Sequence, residues 1–140
     1  MILDTTYLLP LARIGVKTDF LRAVADGKVN VDLSDLKISL ISIFEMQAKA
    51  SSLNIPPGYV AEAVDIIMRS LDVVPFYEGN IVKRAYELRS LRDYIDRIIV
   101  ATAIERKEVL MTEDSSILSV REELRRKYGI DIVSYRDFKI

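Results

Sequence analysis

Hydrophobic positions along this 140-residue chain fall into short unbroken apolar runs separated by longer stretches of helical periodicity. The runs Ile2–Asp4, Lys37–Ile41, Asp72–Pro75 and Val109–Thr112, with an alternating segment Ile130–Tyr135, predict five strands. Helices are predicted over Tyr7–Ala12, from Thr18 or Asp19 to Gly27, from Ser42 to about Leu53, and over Tyr59–Leu71. Three more follow, over Glu78–Leu91, from Asp93 through Ala103, and from about Ser116 to Tyr128, where Gly129 stops the last. In the fourth helix Val60, Ala63, Val64, Ile67 and Leu71 share one face. Pro56-Pro57-Gly58 is the strongest break, and it reads as a turn because the same patterning resumes at once. Strands alternating with helices predict an α/β fold, a three-layer α/β/α sandwich on a mostly parallel sheet, as a single domain over residues 1–140.

One stretch organises the rest. Asp93–Asp114 reads as an apolar-faced helix, a polar turn and a buried strand, with carboxylates at both ends. Ile95, Ile98, Ile99, Thr102 and Ala103 recur at helical spacing, and Asp96 falls beside that buried stripe. Val109–Thr112 suits a parallel strand covered on both faces, and Asp114 follows its carboxyl end, where ligands of open α/β sheets gather.

Composition narrows the chemistry. The chain has no histidine and no cysteine, which excludes an imidazole base, a Ser-His-Asp triad, a thiolate nucleophile and a zinc–sulfur site. Hydrolysis here must rest on carboxylates, hydroxyls, Lys or Arg, or a hard metal held by oxygen. A net charge of −1 argues against broad electrostatic binding of nucleic acid but leaves room for a local basic patch. The strand-like Met1–Asp4 at the start and the lack of any apolar run of membrane-span length predict a cytoplasmic protein that does not enter a membrane.

Four acids stand out, and each has an ordinary structural explanation. Asp4 ends the first strand and suits a helix cap or solvated turn. Ser42-x-x-Glu45 matches the capping box, with Glu45 in the first turn of its helix. Asp96 suits the third position of a helix capped by Asp93, or a local pair with Arg97; Asp114 suits a turn. Taken together they point further. Asp4 and Asp114 follow strands expected to be neighbours, and Glu45 and Asp96 open helices packed on the same sheet. Each converging pair at ~4 Å would repel by about 4 kcal/mol at an effective dielectric near 20. Several such terms rival a domain's net stability of roughly 5–15 kcal/mol, so convergence requires a cation. An oxygen-only set matches Mg²⁺ or Mn²⁺.

The strings ILDTTYLL, SIFE, DRIIVATA and LMTED, in this order and at these separations, resemble the PIN-domain nucleases. The likeness is greatest to VapC-like toxin ribonucleases of prokaryotic toxin–antitoxin pairs, and it spans nearly the whole chain. By position, Asp4, Glu45, Asp96 and Asp114 match the family's four acids, with Asp4, Asp96 and Asp114 as metal ligands. Thr6 and Thr112 match the hydroxyl residues that support the metal site. Val100 stands where Ala is frequent, and Asp93 offers a competing register for the third acid; Asp96 places Ile99 and Ala103 at the expected offsets. The resemblance implies Mg²⁺- or Mn²⁺-dependent endoribonuclease activity, an RNA substrate, a small antitoxin protein as partner, and a homodimer.

Phosphate contacts need cations around the acids. Lys83, Arg84, Arg89, Arg92 and Arg97 flank the third acid, with Arg92 and Arg97 the nearest; Arg121, Arg125, Arg126 and Lys127 form a second group that reads more simply as a solvated helix face. Tyr94 and Tyr128 offer rings for base stacking, against the commoner reading as packing residues. The apolar residues Tyr7, Leu8, Leu11, Phe20 and Leu21 are expected to extend to a dimer or antitoxin surface. Two other classes compete: a non-catalytic PIN-like module that binds protein or RNA, and a receiver-like phosphoacceptor domain. The latter needs a paired acid near the first strand and a late Lys, and neither is evident. A haloacid-dehalogenase-type hydrolase needs a second Asp where this chain has Thr6.

Overall fold

The computed structural model describes residues 1–138; the last two residues of the expected domain lie outside the described residues. Five short strands, β1 (Ile2–Leu3), β2 (Lys37–Ser39), β3 (Asp72–Val74), β4 (Leu110–Met111) and β5 (Ile132–Val133), form one sheet in the order β3-β2-β1-β4-β5. Every pairing is parallel, so the mostly parallel sheet expected from the sequence is wholly parallel among the described residues. The register sets Ile2 beside Lys37 and Leu110, and Leu3 beside Ile38 and Met111.

Successive strand residues point to opposite faces, and this alternation divides the core. Leu3, Ile38 and Met111 lie with Tyr7, Phe20, Met46 and Ile67 on one side. That layer holds a 3₁₀ helix (Thr5–Ala12), α1 (Phe20–Ala25), α2 (Leu40–Ser52) and α3 (Pro57–Ser70). Ile2, Leu110 and Ile132 lie with Ile81, Leu88, Ile99 and Leu124 on the other. There the cover is α4 (Gly79–Glu87), α5 (Tyr94–Arg106), α6 (Ser115–Ser119) and α7 (Arg121–Tyr128). The result is the expected α/β/α sandwich. Among the described residues, no helix is long and apolar enough to cross a membrane.

Local chemistry explains where several elements start and stop. Pro57 is the first residue of α3, where its missing N–H costs nothing. Gly129 ends α7 at φ +70°, a conformation that a side chain disfavours. The expected single helix from Ser116 to Tyr128 is two, broken at Val120. The expected helix over Glu78–Leu91 ends at Glu87, and the rest runs as a connection into α5.

Two expectations need correcting. The helix carrying Glu45 starts at Leu40, with Ser39 as its cap, whose Oγ accepts from the Ile41 N–H at 3.3 Å. Ser42 is therefore inside the helix and Glu45 lies in its second turn, so no capping box forms. Tyr7, Leu8, Phe20 and Leu21 are buried, and Leu11 is half-buried. They build the core beneath the first layer rather than a partner surface, because the 3₁₀ helix and α1 pack on each other and on the sheet. Tyr7 and Phe20 meet edge to face at 5.9 Å.

Candidate active site

The strand order reverses direction at β1: the chain moves outward to β2 and β3, then returns to place β4 on the other side of β1. In parallel α/β sheets such a switch point opens a crevice beyond the carboxyl ends of the strands. Asp4 is the first residue past β1, and Asp114 follows β4 by three residues. The parallel register that pairs Leu3 with Met111 continues one step further, with the Asp4 N–H bonded to the Met111 carbonyl at 3.0 Å. The two acids thus leave the sheet side by side because β1 and β4 are in register.

A hydrogen-bonded chain ties them. The Thr112 hydroxyl donates to Asp4 Oδ2 at 2.6 Å and accepts from the Asp114 N–H at 3.0 Å. Asp4 Oδ1 accepts from the Thr5 N–H at 2.7 Å, which caps the 3₁₀ helix. Asp114 Oδ1 accepts from the Ile117 N–H at 3.1 Å, which caps α6. The cap that the sequence offered for Asp4 is therefore present, and Asp114, expected at a turn, caps a helix instead. Neither exhausts a carboxylate, since two oxygens offer about four acceptor sites.

Asp96 is the third residue of α5, and the cap is Asp93, whose Oδ1 accepts from the Ile95 N–H at 2.8 Å. Asp93, the competing register, is thereby engaged and exposed. Asp96 is half-buried and has neither hydrogen bond nor ion pair among the described residues. The suggested Asp96–Arg97 pair does not form. The Arg97 Nε instead donates to the Leu91 carbonyl at 2.6 Å. Neighbours one apart on a helix do not face each other. Glu45 is half-buried on α2 and likewise unpartnered among the described residues.

The acids share an electrostatic environment. Burial pushes the Asp4 carboxyl from 3.8 up to about 6, against the lowering effect of the Thr112 and Thr5 hydrogen bonds, and Glu45 and Asp114 add to the rise. Asp96 is pushed from 3.8 to about 7, first by burial and then by the charges of Asp114, Asp4, Asp93 and Glu45. Four acids far apart in sequence thus bear on one another in space. Among the described residues, however, no three acidic side chains are grouped closely enough to form a ready-made metal cage. The donor chemistry still fits a hard divalent ion. Mg²⁺ keeps several waters and is commonly held through one or two carboxylates rather than a full protein cage.

The other singled-out residues sort clearly. Thr112 lies between two of the acids, whereas Thr6 is half-buried and makes no hydrogen bond among the described residues. The hydroxyl the sequence did not single out is that of Thr5, buried beside Asp4 with its Oγ1 unpartnered; Ser42 Oγ, one turn before Glu45, is buried and unpartnered too. Glu113 was also missed. It lies between Thr112 and Asp114, and its Oε2 accepts from the Tyr7 hydroxyl at 3.0 Å and the Tyr135 N–H at 3.2 Å. An apolar-looking Tyr followed far along the chain by an acid gives no signal of such a bond. Arg92 is exposed and unpaired among the described residues. Arg84 is held by Glu105 and Glu87 and lies over the Tyr128 ring at 5.0 Å. It lines a cleft with Glu108, Val109 and Gly129 at the amino ends of β4 and β5, the wrong end of the sheet for the acids. In the second basic group, Arg121 and Arg125 pair with Asp137 and Asp131, as suits a solvated face.

Comparison with known proteins bears on the fold and the family. Over 95% of the chain, the fold resembles VapBC2 from Rickettsia felis bound to a promoter DNA fragment, with a TM-score of 0.64 at 17% identity, covering 96% of that chain. FitAcB from Neisseria gonorrhoeae gives a TM-score of 0.63 at 16% identity, covering 94% of this chain and 95% of its own. A toxin–antitoxin complex from Klebsiella pneumoniae gives 0.58 at 19% identity, with 92% and 93% covered. Among curated proteins, none matches the sequence. The PIN domain family model matches residues 1–124, which include all four acids, and the chain belongs to the PIN domain family.

Proposed function

We propose that this chain is a Mg²⁺- or Mn²⁺-dependent endoribonuclease, a single nuclease domain over residues 1–140 that acts in the cytoplasm as the toxin of a toxin–antitoxin pair. The observation that carries this reading is the linked pair Asp4–Thr112–Asp114 at the switch point, with Asp96 raised first by burial and then by the charges of the other acids. Membership of the PIN domain family supports nuclease chemistry. The fold shared with a toxin–antitoxin complex from Klebsiella pneumoniae supports an antitoxin partner, and a homodimer fits the same picture.

Asp4, Asp96 and Asp114 would hold the divalent ion. When bound, that ion supplies positive charge to stabilise the phosphodiester transition state and to acidify the attacking water. Thr112 fixes Asp4 Oδ2 and the Asp114 backbone in relation to each other, so these two acids cannot drift apart without breaking one of its hydrogen bonds. Glu45, unpartnered on α2 among the described residues, accepts the proton of the attacking water and fills the role for which this chain has no histidine. Arg92 and Arg97 meet the phosphates of the bound strand.

Purified protein is expected to cut RNA with Mg²⁺ or Mn²⁺ and not with EDTA, and Asp4→Asn or Asp96→Asn should each abolish cutting. Metal-dependent cutting that survives both substitutions refutes the assignment. A second reading, a PIN-domain binding module that does not cut, is favoured by the lack of three closely grouped acidic ligands among the described residues. It predicts no cleavage under any metal, with binding of a partner protein intact.

A further inference from the structure

The arginines of this chain are not equivalent. Arg22, Arg69, Arg84, Arg106, Arg121 and Arg125 each pair with a carboxylate. Arg13, Arg126 and Arg136 also pair with no carboxylate among the described residues, but they are dispersed along the chain, whereas Arg89, Arg92 and Arg97, equally unpaired, all lie on the α4–α5 connection or the first turn of α5. Arg97 is anchored to the Leu91 carbonyl through Nε, which leaves the four N–H groups of its two terminal nitrogens unassigned.

Two exposed rings flank the same segment. Tyr86, on α4, is 68% exposed, and Tyr94, which opens α5, is 42% exposed. They meet edge to face, with centroids 6.0 Å apart and planes at 90°, and the Arg97 guanidinium lies 5.9 Å from the Tyr94 centroid. The edge-to-face pair covers one face of one ring and Arg97 lies over a face of Tyr94, so Tyr86 is the more open ring, while Tyr94 stays partly exposed to solvent. Solvent-exposed rings and unpaired guanidinium groups in one short segment suit a ligand that brings flat rings and repeated negative charge. A duplex has its base faces already stacked; a single strand offers them.

We infer that the α4–α5 segment is a track for single-stranded RNA, in which Tyr86 and Tyr94 each stack an unpaired base and Arg89, Arg92 and Arg97 take phosphates. This deepens the ribonuclease reading and rests on it for the identity of the strand. Tyr94 and Asp96 are two residues apart in one helical turn, so they leave α5 on different sides. The strand reaches the acids by passing round the start of α5, past Arg92 and Arg97. The acids make the cut, and the tyrosines select for unpaired bases some distance from it.

Fluorescence anisotropy of the whole chain with a labelled mixed-sequence twelve-nucleotide RNA in EDTA tests this without any cleavage. Tyr94→Leu and Tyr86→Leu should each weaken single-strand binding by about tenfold. Tyr94→Phe and Tyr86→Phe should hold within about twofold of wild type, since the ring and not the hydroxyl stacks. Arg92→Ser should lower the slope of log affinity against log salt by about 0.7. The duplex form of the same RNA should bind more weakly and ignore the Tyr→Leu changes. Wild-type affinity in both Leu variants, equal loss in the Phe variants, or duplex binding as tight as single-strand binding overturns the inference. So does unchanged RNA binding with an altered oligomeric state in sedimentation, which assigns the rings to a protein interface. If the Leu variants fail to melt like wild type, the duplex comparison and Arg92→Ser still decide. Ring-dependent binding without any metal-dependent cutting would refute the nuclease reading while leaving this track in place.

Discussion

Replacing Asp4 with Asn should make the protein more stable at neutral pH. Asp4 is 5% exposed, and burial raises its carboxyl from 3.8 to about 6. The folded state therefore holds this proton more tightly than the unfolded chain does. Stability is lost as pH rises from the ordinary value through the folded one, and the penalty is complete above it. Its size is about 3 kcal/mol, since each pKa step is worth ~1.4 kcal/mol. Asn cannot ionise and escapes the penalty, but its NH₂ group replaces one acceptor facing the Thr5 N–H or the Thr112 hydroxyl. That mismatch costs about 1 kcal/mol. Asp4→Asn should then be roughly 2 kcal/mol more stable than wild type near ~pH 8 and slightly less stable near ~pH 4. Urea unfolding of both proteins across this range reads the difference. Groups not coupled to Asp4 cancel in it, while Asp96, which the charge of Asp4 raises, is relieved in the variant and adds in the same direction. Glu78 is lowered by its Arg106 hydrogen bond, and Glu108 is lowered, against its burial, by the N-terminal ammonium and Lys37. Both favour the fold above the unfolded pKa and are common to the two proteins. Mg²⁺ provides an independent arm: it should stabilise wild type in proportion to RT ln(1 + [Mg²⁺]/Kd) and leave the variant unmoved. A stability difference that does not change with pH, or that favours wild type more as pH rises, refutes the reasoning.

Thr112→Val keeps the shape of the side chain but removes both its bonds, the donation to Asp4 and the acceptance from Asp114. A loss of about 2–3 kcal/mol in urea unfolding is expected, with most of it restored by Thr112→Ser; a loss below ~1 kcal/mol would show that the linkage is not a structural one. Lys107 closes α5 in the left-handed conformation at φ 54°, which favours glycine. Lys107→Gly should raise stability by about 0.5–1 kcal/mol with RNA cutting unchanged, as measured by thermal unfolding and a cleavage assay, and a drop in melting temperature would contradict this.

The acids at strand ends were legible because the two features that place them are local. Ile2-Leu3-Asp4 and Val109–Thr112 are apolar runs closed by polar residues, and in a parallel sheet the carboxyl ends of such runs share an edge. Helix starts were less legible, because chemically similar cap signals compete. Ser39 and Ser42 both suit the cap before Glu45, and what decides is tertiary: β2 pairs with β3 as far as Ser39, so the chain turns there. At α5 the cap expected at Asp93 forms, which leaves Asp96, the third residue of the helix, free for another use. The burial of Tyr7 and Phe20 was not legible at all. Short helices carry too few turns for their periodicity to say which apolar face meets the sheet and which meets solvent. Thr5 and Thr6 illustrate a similar limit, since adjacent hydroxyls are indistinguishable until the 3₁₀ helix buries one and leaves the other half-exposed.

The capping bonds made by Asp4 and Asp114 raise the question of whether these residues are acids for structural reasons alone. Capping does not require a charge: Ser, Thr and Asn serve as well as Asp. At Asp4 an uncharged cap would avoid the cost of burying a carboxylate, and at Asp96 there is no cap to make, since Asp93 makes it. The rise at Asp96 is driven partly by Asp114, Asp4 and Glu45, so the arrangement is unfavourable in a way that no hydrogen bond in the fold explains. Stability given up beyond the carboxyl ends of the strands, with no structural return, is the mark of a site shaped by its ligand. A cation reverses each of these terms at once, because a positive charge among the acids lowers every carboxyl that the others raise. That is why stabilisation by Mg²⁺ should vanish on neutralising Asp4 or Asp96, while neutralising Asp93, the exposed cap, should leave most of it intact.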